Sequence, residues 1–535
     1  MPANFRFLIA QIPSQLGDIQ SNLNHIKQQL QLGKQQQADL VVFSEMALTG
    51  YALQDQLFYP TLEQQLQPAI EQLCELSTIC PFIVGMPLFS QGDIFNGCAF
   101  FNQGQLQWQY AKQFLAQNQI FDEARYFTPG NNQPTLTFRG IRIALALGDE
   151  PSQPDFLNQL TQQPDVLLNL SADLFYLNRT QERERNLAKA AQQLGCPLVF
   201  INTVGAQDEW IYAGQSSVFN AQGQLLQRAA AFVPSNLELN LAEQQQPLNN
   251  HLLSEEALVY QALVTSLREY VASCGFKGVL CGLSGGIDSA LVLAIAVDAL
   301  GADKVTAVMM PYHYTAQISQ DDAAEQANCM GVTYHILPII DIVQQFSQQL
   351  EPVLNQWPAS AQDTTEQNLQ ARSRGSLLMA LSNRSGALLL TTSNKSEMAV
   401  GYCTLYGDMA GGFAPLKDVP KTLVYRLARY RNSLSAVIPE RVITRPPTAE
   451  LAPDQSDTDN LPPYPVLDEI IRLYVEENQS SAQIIAQGFD AATVNRIVRL
   501  INLSEYKRRQ AAMGPKITKR GFGRERRMPV AIKPC

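Results

Sequence analysis

The sequence predicts an α/β protein built from two domains, over residues 1–245 and 251–535. Three observations predict this organisation. Short apolar runs alternate with amphipathic stretches at the spacing of strands and helices in both halves. A polar break at residues 244–250 separates the halves. A chain of 535 residues is also too long for one hydrophobic core.

Each half supplies its own set of predicted elements. In the first half, glutamine-rich amphipathic stretches at 19–32 and 61–76 predict helices with solvated faces. Apolar runs there predict central strands at residues 7–12, 40–43, 82–85, 141–147, 166–170 and 198–201. In the second half, a helix ending near residue 274 precedes a predicted strand, loop, helix and strand at residues 278–283, 284–288, 289–300 and 305–309. This order is typical of an open, doubly wound α/β sheet.

Composition excludes several classes of protein. The net charge of -10, with 46% hydrophobic and 16% charged residues, is typical of a soluble globular protein and argues against general nucleic-acid affinity. The nine cysteines form no Cys-x-x-Cys pair and the four histidines show no ligand-like spacing, so neither a disulfide framework nor a zinc site is indicated. No apolar run is long enough to span a membrane, and no signal peptide is evident. We therefore expect a cytoplasmic protein.

The charge is unevenly distributed along the chain. Residues 505–535 contain ten Lys/Arg and two acidic residues, although the whole chain is acidic. Such a basic segment indicates either a polyanionic ligand or a solvated tail.

One loop carries the signature of a phosphate site. Ser284, Gly285, Gly286, Ile287, Asp288 and Ser289 follow a predicted strand and open a helix. Glycines let backbone N–H groups approach phosphate oxygens, and a helix N-terminus adds positive potential. The loop lacks the Gly-Lys-Ser/Thr of the common P-loop. It fits instead the loop of enzymes that split ATP between the α and β phosphates, with Asp288 suited to Mg²⁺.

Further motifs in the second half narrow the choice of enzyme. They lie at residues 367–372, 391–397, 401–408, 415–421, 504–510 and 522–527. Together with the loop they resemble the NAD⁺ synthetases over nearly all of 255–535, and the ending resembles the glutamine-dependent branch. The resemblance implies an ATP-pyrophosphatase domain with a doubly wound parallel sheet.

The resemblance also implies roles for individual residues. Asp288 and Glu397 would bind Mg²⁺. Arg372 and Asp408 would contact deamido-NAD, with Asp408 near the reacting nicotinyl group. Thr448 and Lys507 would close over the phosphates. ATP and the leaving pyrophosphate would be held by Ser284, Gly285, Gly286, Ser289, Thr392 and Lys421.

The implied reaction is the amidation of deamido-NAD to NAD⁺. A carboxylate is a poor electrophile, so ATP first activates it as an acyl-adenylate, from which ammonia displaces AMP. The family resemblance also implies a homodimer through the second domain, and it leaves a larger homo-oligomer open.

The first half resembles the nitrilase-type amidases, which implies an α-β-β-α sandwich. Glu45 lies in Val-Phe-Ser-Glu-Met-Ala-Leu-Thr-Gly-Tyr, and Lys112 ends Tyr-Ala-Lys. These residues match the family's base and its oxyanion-stabilising lysine, which serve a cysteine nucleophile. Where the family ends a strand in Cys-Glu-Asp, the resemblance places Leu147 at the cysteine and retains only the final acid, as Asp149. Two further departures are Asp173-Leu174 in place of Ser-Pro and Tyr212-Ala213-Gly214 in place of Phe-Asp-Gly.

We therefore expect a NAD⁺ synthetase that takes its nitrogen from free ammonia. A conventional glutamine-dependent enzyme with an unrecognised nucleophile remains open. So does a regulatory or ligand-binding homologue in which catalysis has lapsed, although the complete Asp288, Glu397 and Lys421 set argues against it. A third hypothesis is nucleic-acid binding through the basic tail. We nevertheless expect neither nucleic acid nor a membrane as a partner.

Overall fold

The computed structural model describes residues 4–117, 121–160, 162–248, 252–358, 363–447, 450–452 and 461–531. The chain divides into two compact units. The first unit comprises residues 1–207 and 211–252, and the second comprises residues 208–210 and 253–535. Among the described residues, no helix is long and apolar enough to cross a membrane.

The first unit contains two six-stranded sheets with the helices that cover them, and a two-stranded sheet formed by residues 204–207 and 210–213. Its helices are α1 (Ile19–Gln35), α2 (Pro60–Leu76), α3 (Pro154–Gln159) and α4 (Arg179–Leu194). Its strands are β1 (Arg6–Gln11), β2 (Leu40–Val42), β3 (Phe82–Ser90), β4 (Asp93–Asn102), β5 (Gln105–Ala111), β6 (Thr135–Phe138), β7 (Ile141–Leu147), β8 (Val166–Ser171), β9 (Leu198–Asn202), β10 (Val204–Gln207), β11 (Trp210–Ala213), β12 (Ser217–Phe219), β13 (Leu225–Arg228) and β14 (Ser235–Asn240).

These elements form the α-β-β-α sandwich that the sequence predicts. The sheets have the strand orders β14-β1-β2-β3-β4-β5 and β13-β12-β9-β8-β7-β6. Alternate residues of β1 face opposite sides, as strand geometry requires. Phe7 and Ile9 join the apolar cluster shared with the second sheet, while Leu8 packs with Leu23 and Ile26 of α1. The predicted central strands are present, but several antiparallel strands were not predicted, because their polar alternating pattern resembles that of the solvated helices.

The second unit is built on a four-stranded sheet. Its strands are β15 (Val279–Gly282), β16 (Val305–Met309), β17 (Thr333–Ile336) and β18 (Leu388–Leu390). Its helices are α5 (Glu255–Ser273), α6 (Ile287–Leu300), α7 (Gln317–Met330), α8 (Ile340–Leu354), α9 (Thr365–Ser385), α10 (Lys395–Val400), α11 (Lys421–Leu434), α12 (Glu440–Thr444), α13 (Tyr464–Ile471), α14 (Ser481–Ala486), α15 (Ala491–Leu503) and α16 (Glu505–Arg508).

The strand order of the second unit indicates where a ligand would bind. The strand order is β17-β16-β15-β18, and all three pairings are parallel. The chain therefore places β16 and β17 on one side of β15 and later adds β18 on the other side. In open α/β sheets, ligands bind at the carboxyl ends of the strands that flank such a reversal. The loop after β15 and the segment after β18 are the two that carry the predicted phosphate and metal residues.

Candidate active site of the second unit and a second ion cluster in the first

The loop after β15 has the geometry of a phosphate cradle. Gly285 has φ +79°, and a Cβ atom there would clash with the backbone carbonyl of Ser319. The hydroxyl of Ser284 accepts a hydrogen bond from the backbone N–H of Gly286 at 3.2 Å and lies 3.1 Å from the hydroxyl of Ser289. The N-terminus of α6 carries no side-chain cap. Its backbone N–H groups are therefore suited to an anion.

Asp288 and Glu397, far apart in sequence, meet beside this loop. The Lys421 ammonium donates to the Asp288 carboxylate and, at 3.3 Å, to Oε1 of Glu397. Asn394, which caps α10, also donates to Asp288 at 2.9 Å. Burial opposes the charge on Lys421, but the two carboxylates prevail and raise the pKa of the lysine. The lysine therefore remains an ammonium group.

The carboxylate pair fits Mg²⁺ in number and chemistry. Mg²⁺ prefers oxygen ligands and is usually held by one or two carboxylates, with substrate phosphates and water completing the octahedron. Asp288 and Glu397 provide two such carboxylates. The part of the chain that the structure describes contains no group of three or more His, Cys, Asp or Glu suited to a metal. A cation here would therefore depend on the nucleotide for its other ligands.

A cavity of about 280 Å³ opens at this edge of the sheet. Most of the predicted site residues line it: Ser284, Gly286, Asp288, Ser289, Thr392, Glu397, Asp408 and Lys421. The others do not. Gly285 packs against Ser319, the exposed Arg372 donates to the carbonyl of Leu405, and Lys507 donates to the carbonyls of Gly401 and Cys403. Thr448 lies outside the described residues.

Asp408 lines the cavity, and its pKa is raised. Its Oδ1 accepts the backbone N–H of Thr404 at 2.6 Å. Although the residue is exposed, packing around its carboxyl group desolvates it and raises its pKa to about 6, while the Thr404 N–H and the charge of Lys507 favour the ionised form. Asp408 therefore changes charge within the range where enzymes are ordinarily assayed.

The cavity also contains residues that the sequence analysis missed. Arg374 lies in the wall, where its Nε donates to the carbonyl of Met310 and burial lowers its pKa to about 10. Positions two apart on a helix do not face the same way, so Arg372 and Arg374 of α9 point to different surroundings. Arg445 donates to the carbonyl of Gly285, across 160 residues. No local pattern marks Arg445, because its partner is distant in sequence.

The basic C-terminal segment is partly folded into the second unit. Arg508 and Arg526 pair with Glu505 at 2.8 and 2.7 Å, and Lys516 pairs with Glu525 at 3.2 Å. All three cations are almost fully buried. Because buried carboxylates already pair with these three cations, they contribute little to a general attraction for anionic substrates.

The first unit brings Glu45 and Lys112 together as predicted. Glu45 follows β2 and Lys112 follows β5, and both are 2% exposed. The Lys112 ammonium lies 3.0 Å from a carboxylate oxygen of Glu45 and 3.0 Å from one of Glu123. Asn96 donates to both carboxylates, and the Tyr51 hydroxyl donates to Glu123. Burial raises the pKa of Glu45, with Lys112 acting in the opposite direction.

The residue that faces this cluster is Gly148, and the placement of Leu147 there was wrong. A Cβ atom at position 148 would lie 2.6 Å from Nζ of Lys112 and 3.5 Å from a carboxylate oxygen of Glu45. Leu147 is fully buried in the apolar cluster of the sandwich. A shift of one residue along a strand moves a side chain to the opposite face. Gly148, with φ +56°, has no side chain to contribute.

The same one-residue shift applies to the acid that follows. Asp149 is exposed, whereas Glu150 is fully buried and accepts the backbone N–H of Leu147 at 2.8 Å and the Tyr110 hydroxyl at 2.9 Å. Burial raises the pKa of Glu150 to about 7. The buried acid at the strand end is thus Glu150, and matching Asp149 to it produced the error at position 147.

Two cysteine thiols of the first unit are poorly suited to act as nucleophiles. Cys98 and Cys196 lie in the apolar cluster with at most 3% exposure. Burial raises the pKa of Cys98, and it raises that of Cys196 to about 12. A thiol so rarely ionised is a weak nucleophile.

Comparison with known proteins identifies the class of each half. Residues 9–240 match the carbon-nitrogen hydrolase family, and residues 259–511 match the NAD synthase family. The chain is therefore a fusion of an amidase-type unit with an ATP-dependent carbon–nitrogen ligase unit, which is the class that its fold and its two clusters define.

Full-length relatives identify the family. The chain is 45% identical to the glutamine-dependent NAD⁺ synthetase of Acinetobacter baylyi and 36% identical to that of Aquifex aeolicus, covering 98% of this chain and at least 98% of each relative. It is similar to the solved structure of glutamine-dependent NAD⁺ synthetase from Acinetobacter baumannii in complex with ADP, with a TM-score of 0.79, 43% identity and 98% coverage of both chains. The chain belongs to the glutamine-dependent NAD⁺ synthetase family, and it is a carbon–nitrogen ligase.

Proposed function

We propose that this enzyme amidates deamido-NAD to NAD⁺ at the expense of ATP and takes its nitrogen from free ammonia. The second unit supplies the chemistry, and the first unit supplies no glutamine-derived ammonia. The observation that supports the choice of donor is Gly148, since the backbone position facing Glu45 and Lys112 carries no nucleophile.

The cleft of the second unit supports the ATP-dependent step. The N-terminus of α6, which follows the loop directly and carries no side-chain cap, would bind the pyrophosphate. Mg²⁺, bound by Asp288 and Glu397, would neutralise charge on the phosphates. Lys421 already lies between these two carboxylates and holds them in place. The cleft therefore concentrates positive charge where a carboxylate and a triphosphate would otherwise repel each other.

Asp408 is suited to the second step. In the proposed reaction the adenylate forms when the substrate carboxylate attacks the α-phosphate and pyrophosphate leaves. Ammonia then attacks the acyl carbon, AMP leaves, and a proton departs from the new amide nitrogen. Ammonium predominates at neutral pH, so a carboxylate beside the acyl group would assist by attracting ammonium and accepting its proton. Asp408, with its raised pKa, lines the cleft in which this step would take place.

The deciding experiment measures NAD⁺ formation from deamido-NAD and ATP, with ammonium or glutamine as the sole nitrogen source. We expect turnover with ammonium and none with ammonia-free glutamine. A glutamine-dependent rate comparable to the ammonium rate would exclude the proposed donor. Asp288→Asn serves as the background control, because any signal it retains arises outside the cleft.

The conventional glutamine-dependent enzyme is the second candidate. The buried Glu45, Lys112 and Glu123 cluster favours it, since this ion network persists opposite a glycine. An electrophilic glutamine analogue that traps amidase thiols distinguishes the two candidates. Mass spectrometry should find the protein unmodified if ammonia is the donor, whereas one stoichiometric adduct would locate an unrecognised nucleophile.

We also propose that the enzyme is a homodimer formed through the second unit, as the family resemblance implies. Two-fold closure is the commonest oligomer symmetry. We expect light scattering at micromolar concentration to measure an even multiple of the 59.3 kDa chain mass. A fully active 59.3 kDa species would contradict this proposal.

A further inference from the structure

A second group of charges lies beside the Glu45 and Lys112 cluster of the first unit. Asp173 accepts hydrogen bonds from Nε of Arg179 at 2.8 Å and from Nη1 of Arg183 at 2.8 Å. Its side chain is 9% exposed, and those of Arg179 and Arg183 are 15% and 6% exposed. One carboxylate therefore engages two guanidinium groups in a partly closed position.

Two covalent neighbours connect these charges to the Glu45 and Lys112 cluster. Ala172, immediately before Asp173, donates its backbone N–H to Oε2 of Glu45 at 3.0 Å. Asp149, immediately after Gly148, accepts a hydrogen bond from Nη2 of Arg179 at 3.0 Å. Asp149 is exposed, Gly148 is half-buried, and Glu45 is buried. Arg179 thus bonds to the residues next to Gly148 and Ala172, the two positions that contact the Glu45 and Lys112 cluster.

The charges within this group cancel. Arg179 and Arg183 contribute two positive charges, and Asp173 and Asp149 contribute two negative ones. Burial would raise the pKa of Asp173, but the two guanidinium groups hold it below its ordinary value, so the carboxylate is ionised at neutral pH. Arg183 stacks on the ring of Phe200 at 4.5 Å, and its Nε and Nη2 find no acceptor among the described residues. Both atoms are buried, so they are not open to a carboxylate arriving from solvent.

We propose that Asp173 is a specificity-determining residue that acts as a built-in carboxylate and excludes amides bearing a carboxylate, glutamine included. An external carboxylate would need the guanidinium groups that Asp173 already occupies, and it would meet the charge of Asp173 itself. A small neutral amide has no such requirement. This inference rests on the proposed function, because it deepens the account of why the first unit supplies no ammonia from glutamine.

The test titrates the full-length protein with glutamine and, separately, with propionamide, by calorimetry. The isosteric substitution Asp173→Asn removes the charge and frees both guanidinium groups. We expect glutamine to bind this variant about tenfold more tightly or better than the unmodified chain, since hydrogen bonds to charged groups are worth about 1.5–3 kcal/mol. Propionamide affinity should be unchanged. The double variant Asp173→Asn/Arg179→Gln should lose most of the gain.

A second variant protects the test against misfolding. Asp149 is exposed, so Asp149→Asn removes one partner of Arg179 without leaving a buried group unpaired. It should show a smaller gain in glutamine affinity and none for propionamide. The proposal is overturned if folded Asp173→Asn gains no affinity for glutamine, if Asp173→Asn is unfolded and Asp149→Asn gains none, or if glutamine and propionamide gain equally. NAD⁺ synthesis from glutamine by the unmodified chain would instead overturn the proposed function, so the two failures are distinguishable.

Discussion

The two units use the same arrangement of charges to different ends. In each, a lysine ammonium lies between two carboxylates: Lys112 between Glu45 and Glu123, and Lys421 between Asp288 and Glu397. The carboxylates of the first unit are 2% and 3% exposed, whereas those of the second are 17% and 16% exposed. A ligand can reach the second pair directly from the cavity. The first pair is buried, whereas the second pair lines a cavity that a ligand can enter.

The comparison predicts the largest loss of activity at the open cluster. Asp288→Ala removes one of the two carboxylates suited to Mg²⁺ and should reduce the ammonium-dependent rate roughly a thousandfold or more. Steady-state assays of NAD⁺ formation measure the effect. Asp303→Ala, at an exposed position of the same unit, is the matched control and should behave like the unmodified enzyme. Near-normal turnover of Asp288→Ala would remove Asp288 from the site.

The closed cluster should matter more for stability. Lys112→Met leaves Glu45 and Glu123 buried without a cation, and breaking a buried pair in this way costs about 3–5 kcal/mol. Lys421→Met should destabilise less, because its carboxylates are partly exposed to water, while abolishing synthesis. Thermal and urea unfolding of both variants test the difference. Equal destabilisation would show that exposure does not separate the two clusters.

The pH dependence of the second unit tests Asp408. A carboxyl with a pKa of about 6 is neutral below that pH and ionised above it. We expect the ammonium-dependent rate to rise with pH, by about tenfold per unit below the pKa, and to level off above it. The raised pKa means that the folded protein holds this proton more tightly than the unfolded chain does. The free energy of unfolding of the apoenzyme should therefore fall as the pH rises toward about 6. Asp408→Asn should lower the rate and remove the ascending limb, and an unchanged profile would assign it to another group.

The smallest expected effect distinguishes two adjacent positions of the first unit. A thiol at position 148 would face Lys112 and Glu45, so Gly148→Cys should react with iodoacetamide in the folded protein. Leu147→Cys places its thiol in the apolar core and should stay unlabelled until the protein unfolds. Peptide mass spectrometry measures both. The left-handed φ at position 148 costs a non-glycine residue about 1–2 kcal/mol, so lower stability should accompany the labelling. Labelling of the Leu147→Cys variant instead would restore the original placement.

Local sequence determined a large part of this protein. The strand, the loop from Ser284 to Ser289 and the following helix are contiguous, so their pattern predicts both the fold class and the phosphate cradle. The family resemblance pointed to Glu397, and the structure places it after β18, at the same edge of the sheet. Glu45 and Lys112 were found as single residues within motifs, and the sandwich brings them to 3.0 Å.

The tertiary structure decided which face each residue presents and which charges are already paired. Leu147 and Gly148 differ by one position, and only the geometry at the end of β7 shows which one meets Lys112. Arg374 lines the cavity, whereas Arg372, two positions earlier on α9, does not. Positions two apart face different sides of a helix, and the sequence alone does not show which side faces the cavity. The sequence of the basic C-terminal segment predicts surface charges, but in the structure Arg526 donates a hydrogen bond to Glu505, 21 residues away. Local patterns specify strands, turns and helices because those interactions are short in sequence, whereas side-chain partners depend on contacts that form only when distant segments pack together.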